Sequence, residues 1–152
     1  MSNFKIYIKS IFFNIILGSI IGFIISKFIN YDSLEKIFLS PPGYLFPIVW
    51  TILYILMGIS YGILKNLKLV NLEIKLIYFS QLIINLLWPI IFFVLKWRFI
   101  AFIWIILLIL LVTYMIIKFY VKNKISGLIQ IPYLIWLIFA AYLNLGIYLL
   151  NK

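Results

Sequence analysis

The sequence contains no cysteine and no histidine. Disulfides, thiolate nucleophiles, Cys/His zinc sites and His or Cys ligation of a haem iron are thereby excluded. Acidic residues are nearly missing too: Asp32, Glu35 and Glu73 are the only three, against 13 Lys and Arg, for a net charge of +10. Charge of either sign is absent from five runs, 10–26, 37–64, 76–95, 99–117 and 125–151. Within them no paired carboxylate, Ser-His or Cys-His couple can be assembled, which argues against hydrolysis and general acid–base chemistry. No acid or base is present there to bind and release a coupling ion, which weakens an ion-driven pump or a channel.

What remains is oil. Of 152 residues, 67% are hydrophobic, 20% aromatic and only 11% charged, and the mean hydropathy is +1.24. About 20 apolar residues cross a bilayer as a helix, so the five runs predict an all-α membrane protein, a five-transmembrane-helix bundle forming one domain over 1–152. The expected helices lie roughly at 6–26, 44–64, 76–95, 99–117 and 128–150. Lys96-Trp97-Arg98 is so short a link that the third and fourth helices form a tight antiparallel hairpin. The longest link, Lys27 to Gly43, carries Asp32, Glu35 and Lys36, ends in Ser-Pro-Pro-Gly, and reads as a polar loop over the mouth of the bundle.

The basic residues sit at the ends of spans, where they meet lipid head groups, so the bilayer and not a nucleic acid is the expected partner of the charge. Eight lie on the side of the N-terminus and five on the other, which predicts the N-terminus inside and the C-terminus outside a bacterial cell membrane. Gly18-Ser19 to Gly22 offers no small-x-small cleavage site, so the first helix is expected to be retained. No internal repeat of the kind found in duplicated transporters is visible.

Inside the runs the polar side chains are few: Asn14, Gln81, Asn85, Gln130 and Asn144, with hydroxyls and indoles. A single amide in a transmembrane helix is ordinarily interhelical glue. Read as helix faces, however, Gln81, Asn85 and Trp88 form one stripe, Trp50, Tyr54, Met57, Gly58 and Tyr61 a second, and Trp136, Ala140 and Asn144 a third. Three such stripes could converge on an internal cavity where indoles and phenols stack on a flat apolar ligand and Asn85 bonds its polar group. On periodicity alone, plain packing is the commoner origin of aromatic stripes in so aromatic a chain. Gly18-x-x-x-Gly22 and Gly58-x-x-x-Gly62 allow close helix approach. Leu145-x-x-Tyr148-x-x-x-Lys152 fits the loose cholesterol-recognition pattern, as many span ends do.

The segment Pro41-Pro42-Gly43-Tyr44-Leu45-Phe46-Pro47-Ile48-Val49-Trp50-Thr51-Ile52-Leu53-Tyr54, continuing to Gly58, closely resembles the second helix of the TspO/MBR family. These are the tryptophan-rich sensory and translocator proteins, or peripheral-type benzodiazepine receptors. Gln81 to Phe93, with its Asn-x-x-Trp-x-x-x-Phe-Phe pattern, and Pro132-Tyr133-Leu134-Ile135-Trp136, continuing through Asn144, agree at the right distances, so the resemblance covers nearly the whole chain. It implies a five-helix bundle with a ligand cavity for porphyrins and haem, sterols in some members, and synthetic ligands. By motif position, the pocket residues would be Trp50, Tyr54, Asn85, Trp88, Trp136 and Ala140, with Tyr31 in the loop above them. Trp50 and Trp136 also match tryptophans linked in some bacterial members with light-dependent breakdown of protoporphyrin IX.

The chain departs from the family pattern in places. Asn30-Tyr31 and Lys36-Ile37-Phe38-Leu39 lack two tryptophans usual in the first loop, Tyr44 replaces Trp, Pro89 follows Trp88 where Ser is common, and Leu149 takes the place of an Arg near the end of the fifth helix. That last change counts against inherited sterol recognition without deciding it. The leading expectation is a receptor or carrier for a tetrapyrrole or other flat hydrophobic molecule, acting in sensing, transport or disposal, with no cofactor required. The alternatives are a photo-oxidative enzyme degrading protoporphyrin IX through Trp50 and Trp136, and a membrane assembly subunit, such as a homodimer, joined through its glycine faces.

Overall fold

The computed structural model describes residues 3–152, and among these it is helical with no strand. Helix α1 spans Asn3–Ile25 and passes into a 3-10 turn at Ser26–Phe28. After the loop come α2, Leu45–Asn66; α3, Leu72–Pro89; α4, Arg98–Lys122; a short α5, Lys124–Leu128; and α6, Ile131–Leu150. Five segments are long and apolar enough to cross a membrane: Asn3–Phe28, Leu45–Asn66, Leu72–Val94, Arg98–Lys122 and Lys124–Leu150.

These segments follow the five uncharged runs but differ at their ends. Lysine ends an apolar run without ending a helix, so α4 continues past 117 to Lys122, where Lys118 meets Glu73 of α3 at 3.2 Å. Helix α3 starts four residues before the expected 76 because Asn71 caps it, its side chain accepting from the Ile74 N–H at 2.9 Å. The fifth span, expected to be unbroken over 128–150, divides at 129–130. Asn123 caps α5 through the Ser126 N–H, and Pro132 occupies the first turn of α6, where a missing N–H costs nothing.

At the C-terminal end of α3, Pro89 cannot donate to the Asn85 carbonyl, and the chain beyond it winds into a π-helical turn over Ile90–Val94. The resulting register puts Phe92 on Trp88, ring centroids 5.0 Å apart and nearly parallel. Helix α2 ends with Lys68 in a left-handed conformation, φ 58°, while the Leu69 N–H returns to the Leu64 carbonyl at 2.8 Å and the Lys68 N–H to Lys65 at 3.1 Å. This is a Schellman closure made without glycine.

The helices form a ring. Close backbone packing joins α1 to α2, α1 to α3, α3 to α4 and α4 to α6, while α2 packs closely against α5. At that α2–α5 junction Ser60 Oγ donates to the Ser126 carbonyl at 2.6 Å and Ser126 Oγ donates to the Ser60 carbonyl at 2.9 Å, both fully buried. Glycines set the tightest approaches. A Cβ on Gly58 would lie 2.6 Å from Ile11 Cα, and one on Gly127 would lie 2.6 Å from Tyr120 Cα. Gly18 carries Tyr54, and Gly62 carries Tyr7, so three of the four residues in the two small-residue motifs are spent inside the chain. Gly22 alone of the four has open space beside it.

Candidate functional site

Away from the serine junction, α2 and α6 face each other through large side chains. Trp50 of α2 lies against Tyr133 of α6, centroids 6.4 Å apart, and Phe46 of α2 lies edge-on to Trp136 of α6 at 5.9 Å. Trp50 also rests on Tyr54 at 5.9 Å, one helical turn on. The indole-bearing faces of the second and fifth spans therefore do turn toward each other. The rings touch: any guest between them has to part them. Two recesses lie elsewhere on the bundle, and none of the seven predicted site residues lines either one.

Beneath these rings runs a buried polar chain. Tyr133 has a single hydroxyl hydrogen, which it gives to Gln81 Oε1 at 2.8 Å, so its oxygen accepts from Asn85 Nδ2 at 2.7 Å. That fixes the amide orientation and leaves Asn85 Oδ1 to accept from the Tyr54 hydroxyl at 2.8 Å. Asn85, expected to offer a ligand its polar group, instead bridges α2 to α6. Trp88 is likewise engaged, donating its indole N–H to Asn144 Oδ1 at 3.0 Å, while Asn144 Nδ2 donates to the Arg98 carbonyl at 2.8 Å. Asn14 ties α1 to both neighbours, at Tyr78 Oη and the Tyr54 carbonyl. Four of the five intramembrane amides thus join helices, as expected; Gln130 is buried with neither amide atom bonded to a described residue.

Trp136 is different. Its indole Nε1 is buried and finds no acceptor among the described residues, whereas Trp104 donates to the Ile84 carbonyl at 2.8 Å. A buried indole N–H normally has a partner, and one without marks a place where an acceptor is wanted.

The loop from 26 to 44 closes this region from above. Tyr31 is 5% exposed, its hydroxyl donates to the Pro41 carbonyl at 2.7 Å, and its ring meets Phe46 edge-on at 5.1 Å. Burial raises the Tyr31 phenol above its ordinary pKa. The Lys36 ammonium sits 4.7 Å above that ring. The loop is fastened to the end of α6: Asn151 Oδ1 accepts from the Glu35 N–H at 3.0 Å and Asn151 Nδ2 donates to the Glu35 carbonyl at 2.9 Å. Tyr142 donates to the Phe38 carbonyl at 2.7 Å, and Ile37 fills the notch left by Gly146.

Tyr31 and Trp136 thus meet through Phe46, Trp50 meets Tyr54 and Tyr133 directly and Asn85 through their hydrogen bonds, and Trp50, Tyr54 and Trp136 pack against the same hydrophobic core. Trp88 stands beside it with Phe92, and Ala140 is buried in the core, 8% exposed. Sequence reading left Phe46 and Tyr133 out of the site. Phe46 lies four residues before Trp50, and Tyr133 three before Trp136, so helical spacing carried a signal for both.

Residues 10–150 match the TspO/MBR family. The chain belongs to that family. A tryptophan-rich protein TspO of Archaeoglobus fulgidus is 40% identical over 122 residues, covering 80% of this chain and 79% of that protein. Protein CrtK of Rhodobacter capsulatus is 37% identical over 134 residues, covering 86% and 83%. A tryptophan-rich protein TspO of Chlorobaculum tepidum is 35% identical over 128 residues, covering 80% and 78%. The TspO/MBR match contains α2 to α6, α1 from residue 10 on, the loop and the aromatic residues beneath it, and with five apolar helices it makes the chain an integral, multi-pass membrane protein.

Proposed function

We propose that this protein is a membrane receptor or carrier that takes a tetrapyrrole, such as protoporphyrin IX or haem, between α2 and α6 beneath the 26–44 loop, for its sensing, transport or disposal. The observation that carries the reading is the buried, unpaired indole N–H of Trp136 among aromatic rings. A tetrapyrrole brings a broad flat face for Trp50, Phe46 and Trp136 to stack on, and carboxylate oxygens able to accept from an indole donor. Other flat hydrophobic molecules with an acceptor on the rim meet the same requirement. The name of one relative, a tryptophan-rich sensory protein of Cereibacter sphaeroides, accords with a sensing role. The ligand is a guest and not a resident cofactor.

Binding in this reading requires the Tyr31–Phe46–Trp136 edge contacts to open, with the loop as the moving part. The test is titration of purified protein with protoporphyrin IX, followed by its absorption band and by tryptophan fluorescence. Trp50→Phe with Trp136→Phe is expected to weaken binding about tenfold, the scale of one lost hydrogen bond plus reduced stacking. Trp97→Phe with Trp104→Phe is expected to leave it unchanged. Equal affinity in both double variants would remove Trp50 and Trp136 from the site.

The photo-oxidative reading has one observation of its own: Trp50 touches both Tyr54 and Tyr133, a contiguous set of electron donors for a photoexcited guest, in which the hole left on the indole can be filled from a neighbouring phenol. Illuminated complex whose porphyrin band decays no differently from free porphyrin in detergent would reject it. We further place the protein in a bacterial cell membrane with the N-terminus inside. Because the chain is free of cysteine, single cysteines introduced at 70 and 97 and probed with an impermeant thiol reagent decide the orientation directly.

A further inference from the structure

At the other end of the bundle from the loop, where α1 begins, α2 ends and α3 begins, a recess of about 220 Å³ is lined by Lys9, Ser10, Phe13, Tyr61, Lys65, Tyr78 and Phe79. Its two ammonium groups are exposed, and neither forms an ion pair; among the described residues the sole ion pair is Lys118 with Glu73. The chain's other two acids, Asp32 and Glu35, lie in the loop at the opposite end. The Ser10 and Tyr61 hydroxyls make no hydrogen bond to described residues, in contrast to Tyr78, whose hydroxyl is turned inward to Asn14. The wall beneath is a rigid aromatic stack: Tyr61 on Tyr78 at 4.3 Å, and Phe79 edge-on to Phe13 at 5.8 Å and to Tyr61 at 5.9 Å.

Two cations without counter-charge, two unpaired hydroxyls and an apolar aromatic wall describe the complement of an anionic head on an apolar body. We propose that this recess binds the phosphate of an anionic glycerophospholipid from the adjoining leaflet, with Lys9 and Lys65 on the phosphate oxygens, the Ser10 and Tyr61 hydroxyls as further donors, and the glycerol backbone against Phe13 and Phe79. The volume suits a head group, and lies below the range usual for pockets that enclose whole drug-sized ligands. The acyl chains then run along the lipid-facing surface, where Phe12 and Ile16 of α1 and Leu76 and Ile83 of α3 are exposed. This end of the bundle carries eight of the 13 basic residues, so anionic lipid is concentrated around it. The recess selects from that pool one molecule, held between α1, α2 and α3 as a wedge. The site is separate from the tetrapyrrole reading and stands whether or not that reading holds.

Native mass spectrometry of the purified full chain, titrated with dioleoylphosphatidylglycerol or dioleoylphosphatidylcholine, tests the proposal. One phosphatidylglycerol is expected to bind more tightly than any phosphatidylcholine. Lys9→Gln with Lys65→Gln is expected to weaken that first molecule about 30-fold, from about fivefold for each lysine near an anionic surface. Tyr61→Phe, which keeps the stacked ring and removes the hydroxyl, is expected to weaken it by a smaller factor. Lys122→Gln with Lys124→Gln removes the same charge from the same end of the bundle and is expected to leave the first molecule in place. Equal weakening in the two lysine pairs would mean diffuse surface charge and overturn the site. So would equal binding of the two lipids.

Discussion

Asn85→Ala removes two hydrogen bonds at once, the one accepted from Tyr54 at 2.8 Å and the one donated to Tyr133 at 2.7 Å. Hydrogen bonds between membrane helices contribute about 0.6 kcal/mol on average and up to about 1.7. Two of them set an expected loss of about 1 to 3 kcal/mol. Tyr133 retains Gln81 as its acceptor, but Tyr54 is left with none, which places the loss toward the upper half of that range. Unfolding in detergent, followed by circular dichroism, measures it, and Tyr133→Phe completes a double-mutant cycle. The two changes share one bond, so their effects are expected to fall short of additivity by at least about 0.5 kcal/mol. A loss below about 0.3 kcal/mol, or strict additivity, would refute a bridging Asn85. The same variant also decides what the amide is for. A bridge predicts that stability falls more than protoporphyrin affinity; a large drop in affinity at unchanged stability would make Asn85 a ligand contact.

Two further changes probe how the ring is closed and how the loop is held. Gly58→Ala and Gly127→Ala each drive a methyl to within 2.6 Å of a neighbouring backbone, and each is expected to cost about 1–3 kcal/mol in the same unfolding assay, with Gly22→Ala, beside open space, near neutral. Asn151→Ala removes both side-chain bonds that fasten Glu35 to the end of α6. It is expected to speed entry and exit of protoporphyrin in stopped-flow measurements by a larger factor than it changes the equilibrium affinity. Unchanged rates would mean that the loop does not gate the site.

The bundle was legible because hydrophobicity alone sets the number of crossings, and five uncharged runs cannot be hidden otherwise. Its ends were less so. Charge stops an apolar run but not a helix, which is why α4 runs on to Lys122, and the capping by Asn71 and Asn123 acts through short-range geometry that hydropathy does not register. The π-helical turn after Pro89 is a second instance: hydropathy reads an unbroken third helix to 95, and it does not register the carbonyl that Pro89 leaves without its donor.

At the site, periodicity located the faces that carry Trp50, Tyr54, Asn85 and Trp136 but not what each side chain does on its face. The α2 stripe in fact divides: Trp50 and Tyr54 go to the rings facing α6, Gly58 to Ile11 of α1, and Tyr61 to the stack above Tyr78. Whether an amide is glue or a ligand handle depends on which hydroxyls lie within 3 Å across the bundle, and one-dimensional spacing cannot tell Asn85, bonded on both atoms, from an indole like Trp136, bonded on none.

The most direct measurement is the indole ¹⁵N–¹H resonance of Trp136 in labelled protein as protoporphyrin IX is added. An N–H that gains an acceptor shifts its proton downfield, and the account predicts this for Trp136 in step with the porphyrin absorption change, while Trp104, already bonded to the Ile84 carbonyl, stays where it is. Saturation of the porphyrin signal with the Trp136 resonance unmoved would contradict the central claim that this donor awaits the guest.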